Sequence, residues 1–87
     1  MPYIRPERRE KYNDVLRELI DIFKALPVEE VDGEFNYVVT KILKEIYIKR
    51  YFHLNKAIGV LECIKQEFYR RVLAPYEDVK IKESGDV

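Results

Sequence analysis

The sequence predicts an all-α fold: an antiparallel three-helix bundle followed by an extended C-terminal arm. Two observations support this prediction. Apolar residues recur at steps of three and four residues over three long segments, and Pro27 and Pro75 fall where two of these segments end. We therefore expect a single helical domain, 1–87, with helices at about 6–26, 33–49 and 53–73 and an arm at 74–87.

The first helix is predicted from Pro6, because proline suits the first helical turn, to Pro27, which stops it. Its apolar stripe comprises Tyr12, Val15, Leu16, Leu19, Ile20, Phe23 and Leu26. The second helix is expected to begin near Gly33 with Asp32 as its N-cap. Its stripe comprises Phe35, Val38, Val39, Ile42, Leu43 and Ile46.

The third helix has the stripe Leu54, Ala57, Ile58, Leu61, Ile64, Phe68 and Val72. Lys65 falls inside this stripe. The residues after Pro75 are polar, and Val79 and Ile81 alternate with lysines, a two-residue period that favours an extended arm.

Composition restricts the classes of function. The chain has 87 residues, 16 basic and 16 acidic, so its net charge is zero, which argues against nucleic-acid binding through gross charge. Neither a membrane-spanning run nor a secretory signal is recognised in the sequence. One cysteine, Cys63, excludes an internal disulfide. We expect a cytoplasmic protein without a membrane partner.

Polar residues flank the apolar stripes of the second and third helices. These are Asn36, Thr40, Glu62, Lys65 and Tyr69. If the two flanks face each other, they form a buried or half-buried polar seam in which hydrogen bonds fix the helix register. The alternative is a ligand or catalytic pocket built from Lys65, Glu62, Tyr69 and Asn36, since a desolvated lysine can act as a base or nucleophile.

Other chemistry has weaker signals. The paired carboxylates that all-helical nucleotide pyrophosphohydrolases use are not matched on a second helix, and His53 has no second ligand nearby in sequence. We therefore assign no catalytic residue, no cofactor and no metal ligand. Arg70 and Arg71 beside Tyr69 could grip nucleic acid, but Arg71 can instead pair with Glu67. A nucleic-acid-associated accessory protein remains the second hypothesis and a small-ligand or nucleotide-processing enzyme the third.

A second surface is predicted on the backs of two helices. Tyr37, Ile48, Gly59, Val60 and Cys63 lie away from the core stripes. Glycine inside a helix costs about 1 kcal/mol relative to alanine, and close approach of another helix is a common reason to keep it. Since a small chain has a thin core, we expect this surface to mediate a homodimer or higher oligomer.

The turn "APYED" suggests how the arm could be held. Pro75 fixes the exit of the chain, and Tyr76 could pack back on the last helical turn. Glu77 or Asp78 could then reach Arg70 or Arg71, which would lock the arm in place.

The segments "GEFNYVVTKIL", "AIGVLECIKQEFYRRVLAPYEDVKI" and "SGDV", with the opening "MPYI", resemble a family of short uncharacterised proteins. Its members occur in tailed phages, prophages and some bacteria and archaea. The resemblance covers nearly the whole chain and includes the seam residues and the "APYED" turn. It implies no activity, cofactor or substrate. The sequence thus favours a self-associating interaction or structural module with a phage connection.

Overall fold

The computed structural model describes residues 3–87, and every regular element within them is helical. The predicted all-α class is therefore confirmed. Contacts between residues divide the described chain into two units, one ending at Lys49 and the other spanning Arg50–Val87. The antiparallel three-helix arrangement stays a prediction.

The first unit opens with two short 3-10 turns, Pro6–Arg8 and Glu10–Tyr12, before the helix α1, Asn13–Lys24. The predicted first helix is thus α-helical only from Asn13. No side chain caps the two turns, and short i→i+3 bonds are common at such helix beginnings. The Arg9 guanidinium anchors this end by donating to the carbonyl of Ile4 at 3.1 and 3.3 Å.

Helix α2, Val28–Ile46, starts five residues before the predicted Gly33, so the proposed N-cap Asp32 lies inside it. The reason is that Pro27 is itself the N-cap residue of α2. Its extended backbone, at φ −58° and ψ 144°, ends the short connection after α1, and the new helix starts at the next residue. The Glu30 N–H donates to the Pro27 carbonyl at 3.0 Å. Carboxylates in the first turn favour this beginning through the helix dipole.

An aromatic pair joins α1 and α2. The rings of Phe23 and Phe35 meet edge to face, with centroids 5.9 Å apart and planes at 68°. Several stripe residues of this unit are half-buried: Leu19, Phe23, Leu26, Val38, Val39 and Leu43. The predicted stripes are therefore partly covered. Helix α2 ends at Ile46, three residues before the predicted boundary, because Tyr47 is extended.

The second unit is one long helix with an interruption. Helix α3, Tyr51–Phe68, runs into a π-helical turn, Tyr69–Leu73, which continues as helix α4, Ala74–Ser84. The residues at both junctions keep right-handed helical dihedrals, so the chain does not change direction through a loop. If α3, the π turn and α4 are counted as one interrupted helix, the described chain has three helices besides the two 3-10 turns.

The prediction of an extended C-terminal arm is wrong. Residues 74–84 are helical, and only Gly85, with φ +85°, ends the helix in the left-handed region that suits glycine. Pro75 does not stop the helix because a π turn precedes it. The Ala74 N–H reaches the carbonyl of Tyr69 five residues back, and this wider turn relieves the clash that a proline ring makes with the preceding turn.

Burial is sparse along the described chain. Ala57 is the one buried residue among those described, with 6% of its surface accessible. Val60, Leu61 and His53 on the same helix are half-buried, whereas Ile58 and Phe68 are exposed. The covered sector of α3 is therefore rotated from the predicted stripe toward Ala57 and Val60.

Candidate functional site

Three polar residues of α3 form one connected cluster around Glu62. The Lys65 ammonium lies 3.1 Å from the Glu62 carboxylate, and the Gln66 amide donates to the same carboxylate at 3.1 Å. These residues stand three and four apart, the spacing at which side chains meet on a helix. The Glu62 carboxylate therefore compensates the charge of Lys65.

Solvent surrounds this cluster. The Lys65 side chain is 70% exposed, so the predicted burial of the seam is wrong for this residue. The reason is that Lys65 lies outside the covered sector of α3. The hydrogen bond from Gln66, followed by the bond and charge of Lys65, lowers the pKa of Glu62. The carboxylate is thus held ionised, as an acceptor and anion and not as an acid.

The α2 half of the predicted seam is a separate local pair. The Thr40 hydroxyl donates to the side-chain oxygen of Asn36 at 3.0 Å. Both residues line an open groove of about 320 Å³ on one face of α2, together with Gly33, Tyr37, Lys41 and Lys44. Lys41 pairs with Glu45 at 3.1 Å. That the α2 and α3 halves face each other stays a prediction.

Tyr69 has a partner that the sequence did not indicate. Its phenol donates to the Glu77 carboxylate at 2.9 Å, although the two residues are eight apart. In a regular α-helix eight residues leave two side chains about 80° apart, and the wider π turn brings them back to one face. This bond, with the charge of Glu77, raises the pKa of Tyr69.

The predicted arm lock does not form as expected. Arg70 and Arg71 both pair with Glu67 in the turn before them, Arg70 at 2.6 Å. The Arg71–Glu67 pairing is the one that the sequence indicated. Asp78 adds only a charge that helps to raise the pKa of Tyr69. Because residues 74–84 are helical, there is no arm to hold.

Tyr76, the third predicted member of the lock, lies under the Lys80 ammonium, 5.4 Å from its ring centre. This contact joins residues four apart on α4 and is a cation–π interaction of an exposed kind. Tyr76 therefore contributes to α4 itself.

The predicted self-association residues are distributed over both units. Tyr37, Ile48, Gly59 and Cys63 are exposed, whereas Val60 is half-buried. An added Cβ at Gly59 would meet no atom within 4 Å. Helix α3 as it stands therefore has room for a larger side chain at this position.

Comparison with known proteins decides the family. A domain of unknown function, DUF6899, matches residues 1–87. The chain belongs to the DUF6899 family. No curated protein and no solved structure matches it. Membership in DUF6899 therefore supports the family resemblance of the sequence over its full length and brings no activity with it.

Within residues 3–87 of this DUF6899 chain, no group of three or more histidine, cysteine or acidic side chains is placed to hold a metal ion. None of the helices in that range is long and apolar enough to cross a bilayer.

A second groove, of about 510 Å³, lies at the C-terminal end of this DUF6899 chain and was not predicted from sequence. Tyr69, Glu77, Ile81 and Val87 are among its lining residues. It exists because α4 is helical and the residues after Gly85 lie beside it. No signal in the sequence could have located it, since the sequence favoured an extended arm.

Proposed function

We propose that this DUF6899 chain is a small helical interaction module that assembles with copies of itself. The observation that carries the proposal is that Arg50–Val87 forms a unit consisting of one long helix. A helix can bury its apolar stripe only against another element. Within this unit no second helix is present to cover the apolar side chains that lie outside the sector around Ala57.

The uncovered apolar side chains are large. Ile58 is 65% exposed and Phe68 is 62% exposed, and Leu54, Val72 and Leu73 are exposed beside them. Single apolar residues on a surface are ordinary, but a contiguous series along one helix is typical of an interaction surface. Twofold dimers are the commonest way in which soluble proteins cover such a series.

Charge is consistent with a second copy as the partner. The chain carries 16 basic and 16 acidic residues, so two copies do not repel each other through net charge. The phage setting implied by the resemblance is part of this proposal: a small module that acts by assembling, with no chemistry of its own.

Sedimentation equilibrium over a range of concentrations tests the proposal. We expect a dimer or higher oligomer at tens of micromolar. Ile58→Glu should shift the chain toward monomer, because it places a charge among exposed apolar side chains. Val28→Glu is the control, since Val28 is also an exposed apolar residue but begins α2, where a carboxylate is favoured.

The outcomes separate cleanly. Wild-type protein that sediments only as monomer at tens of micromolar would contradict the proposal. An oligomer that Ile58→Glu leaves intact would keep self-association but remove Ile58 from the interface.

The nucleic-acid alternative draws less support. Arg70 and Arg71 pair with Glu67, and Arg9 donates to a backbone carbonyl. Phosphate would have to compete with these contacts. Binding of DNA or RNA that persists at ~150 mM salt would favour the alternative over the module.

A further inference from the structure

Six exposed side chains on the long helix form a strip whose spacing reads the same in both directions. Successive members are four, four, three, four and four residues apart. The strip consists of Leu54, Ile58, Glu62, Lys65, Tyr69 and Leu73. These steps keep the side chains within a narrow sector of a helix with 3.6 residues per turn.

Two contacts show that side chains are aligned within the central part of the strip and through the π turn at its C-terminal end. The Glu62 carboxylate and Lys65 ammonium are 3.1 Å apart. The Tyr69–Glu77 bond at 2.9 Å shows that side chains at steps of four remain aligned through the π turn. Leu73 lies midway between these two residues in sequence, so it continues the same line.

The strip is also symmetric in chemistry. About its midpoint, between Glu62 and Lys65, the ionic residues lie about 2 Å away along the helix axis on either side. Ile58 and Tyr69 lie about 8 Å away, and Leu54 and Leu73 about 14 Å away. Apolar and aromatic side chains therefore flank a pair of opposite charges at matching distances.

We propose that two copies of the chain pair through this strip as antiparallel helices related by a twofold axis between Glu62 and Lys65. This rests on the proposed self-association and specifies its interface. The axis places Leu54 opposite the partner's Leu73, Ile58 opposite the partner's Tyr69, and Glu62 opposite the partner's Lys65. An isologous contact requires such self-complementarity.

Charge complementarity selects the antiparallel orientation and the second copy as the occupant. In the antiparallel pair each carboxylate faces an ammonium across the axis. A parallel pair in register would set Glu62 against Glu62 and Lys65 against Lys65, and like charges in contact are unfavourable. The Glu62–Lys65 pair at the centre of the strip then has a role, because polar residues within a helix seam fix register at some expense of stability.

Charge reversal tests this interface. Glu62→Lys makes positions 62 and 65 both basic, and Lys65→Glu makes both acidic. Each variant alone should dimerise at least about tenfold more weakly than wild type, because like charges then meet twice across the axis. Mixed together, the two variants should form a heterodimer of about wild-type affinity, detected by native mass spectrometry.

A matched control lies on the same helix. Lys56→Glu changes the charge by the same amount as Lys65→Glu but lies about 180° around the helix from it. It should leave the dimer unchanged. Both target side chains are exposed, so circular dichroism should show equal helix content in all variants.

Oxidative cross-linking tests the orientation directly. On a Cys63→Ser background, copies with Leu54→Cys are mixed with copies carrying Leu73→Cys. The antiparallel pair predicts disulfides between position 54 of one copy and position 73 of the other. Disulfides mainly between two copies of position 54 would overturn the proposal.

The results distinguish this interface from self-association itself. If wild type is monomeric, both proposals fail. If wild type dimerises, but the reversals have no effect or the mixture does not recover, this interface is wrong and self-association stands.

Discussion

Glu62 is the residue on which the polar contacts of α3 converge. It accepts a hydrogen bond from Gln66 and pairs with Lys65, and both lower the pKa of its carboxyl group. A lowered pKa means that the contacts are fully present above the ordinary value of 4.5 and are lost as the pH falls through the folded-state pKa.

Carbon-detected NMR titration should therefore show Glu62 titrating below its ordinary value. Gln66→Ala and Lys65→Gln should each raise its pKa, because each removes a group that stabilises the ionised form. Measuring Gln66→Ala in a monomeric sample shows how much of the Glu62 pKa shift comes from contacts within the helix. A Glu62 pKa that neither substitution changes would show that these contacts do not persist in solution.

Glu67 has a different position, since it is shared by Arg70 and Arg71 and its side chain is only 19% exposed. Glu67→Gln should lower the free energy of unfolding by about 1 kcal/mol, because a small ionic network is lost. Glu45→Gln, which breaks the exposed pair with Lys41, is the control and should change it by less than about 0.5 kcal/mol. If thermal denaturation shows equal effects of Glu67→Gln and Glu45→Gln, the shared pairing of Glu67 contributes no more stability than an ordinary exposed ion pair.

At the scale of elements, the π turn at Tyr69–Leu73 sets the geometry of the whole second unit. It allows a helix to pass through Pro75 and brings Glu77 to the face of Tyr69. The turn and the proline therefore depend on each other: the proline cannot donate to the i−4 carbonyl, and the wider turn does not need that bond.

Pro75→Ala should let the turn relax to an α-helix, because alanine restores an N–H donor. Glu77 would then rotate away from Tyr69 and the raised pKa of Tyr69 would fall toward 10.0. NMR titration of the tyrosine ring carbons measures this. The contact contributes stability below pH 10 and loses it as the pH rises through the folded-state pKa. An unchanged Tyr69 pKa would show that the π turn survives without proline.

The two glycines inside α2 and α3 offer a matched comparison. Neither Gly33 nor Gly59 has an atom within 4 Å of an added Cβ. Gly33→Ala and Gly59→Ala should therefore each stabilise the helix by up to about 1 kcal/mol. If the predicted surface with Gly59 and Cys63 packs closely on another copy, only Gly59→Ala should weaken self-association in sedimentation. Equal behaviour of both variants would remove Gly59 from any interface.

Periodicity predicted the three helical segments because steps of three and four residues fix helical faces without reference to tertiary contacts. Prolines and capping residues were less informative about where each helix begins and ends. Pro75 was interpreted as a stop, since sequence does not reveal a π turn that accommodates it, and Pro27 was followed by helix earlier than the Asp32 signal indicated.

At the scale of the whole molecule, the candidate site also contains some contacts that helix spacing predicts and others that it does not. Pairs three or four residues apart, such as Arg71 with Glu67, follow from helix geometry and could be predicted. The Tyr69–Glu77 bond and the C-terminal groove could not, because both depend on the π turn. The exposure of Lys65 depends on which sector of α3 is covered, and the broad apolar stripe left that sector undetermined.

If assembly covers these exposed apolar side chains, the stability of the molecule depends on its concentration. Folding coupled to association shifts the unfolding equilibrium by mass action. The thermal midpoint from circular dichroism should therefore rise as the protein concentration is increased. Lys65→Glu should flatten this dependence, and Lys56→Glu should not. A midpoint independent of concentration would contradict assembly.

The bond between Tyr69 and Glu77 also gives the protein a built-in optical reporter. The chain has seven tyrosines and no tryptophan, so tyrosine phenols dominate its near-ultraviolet emission. One of those phenols, that of Tyr69, is hydrogen-bonded to a carboxylate at the junction of two helical segments. Comparing the emission of wild type with that of Glu77→Gln would isolate this signal and follow the junction without any added label.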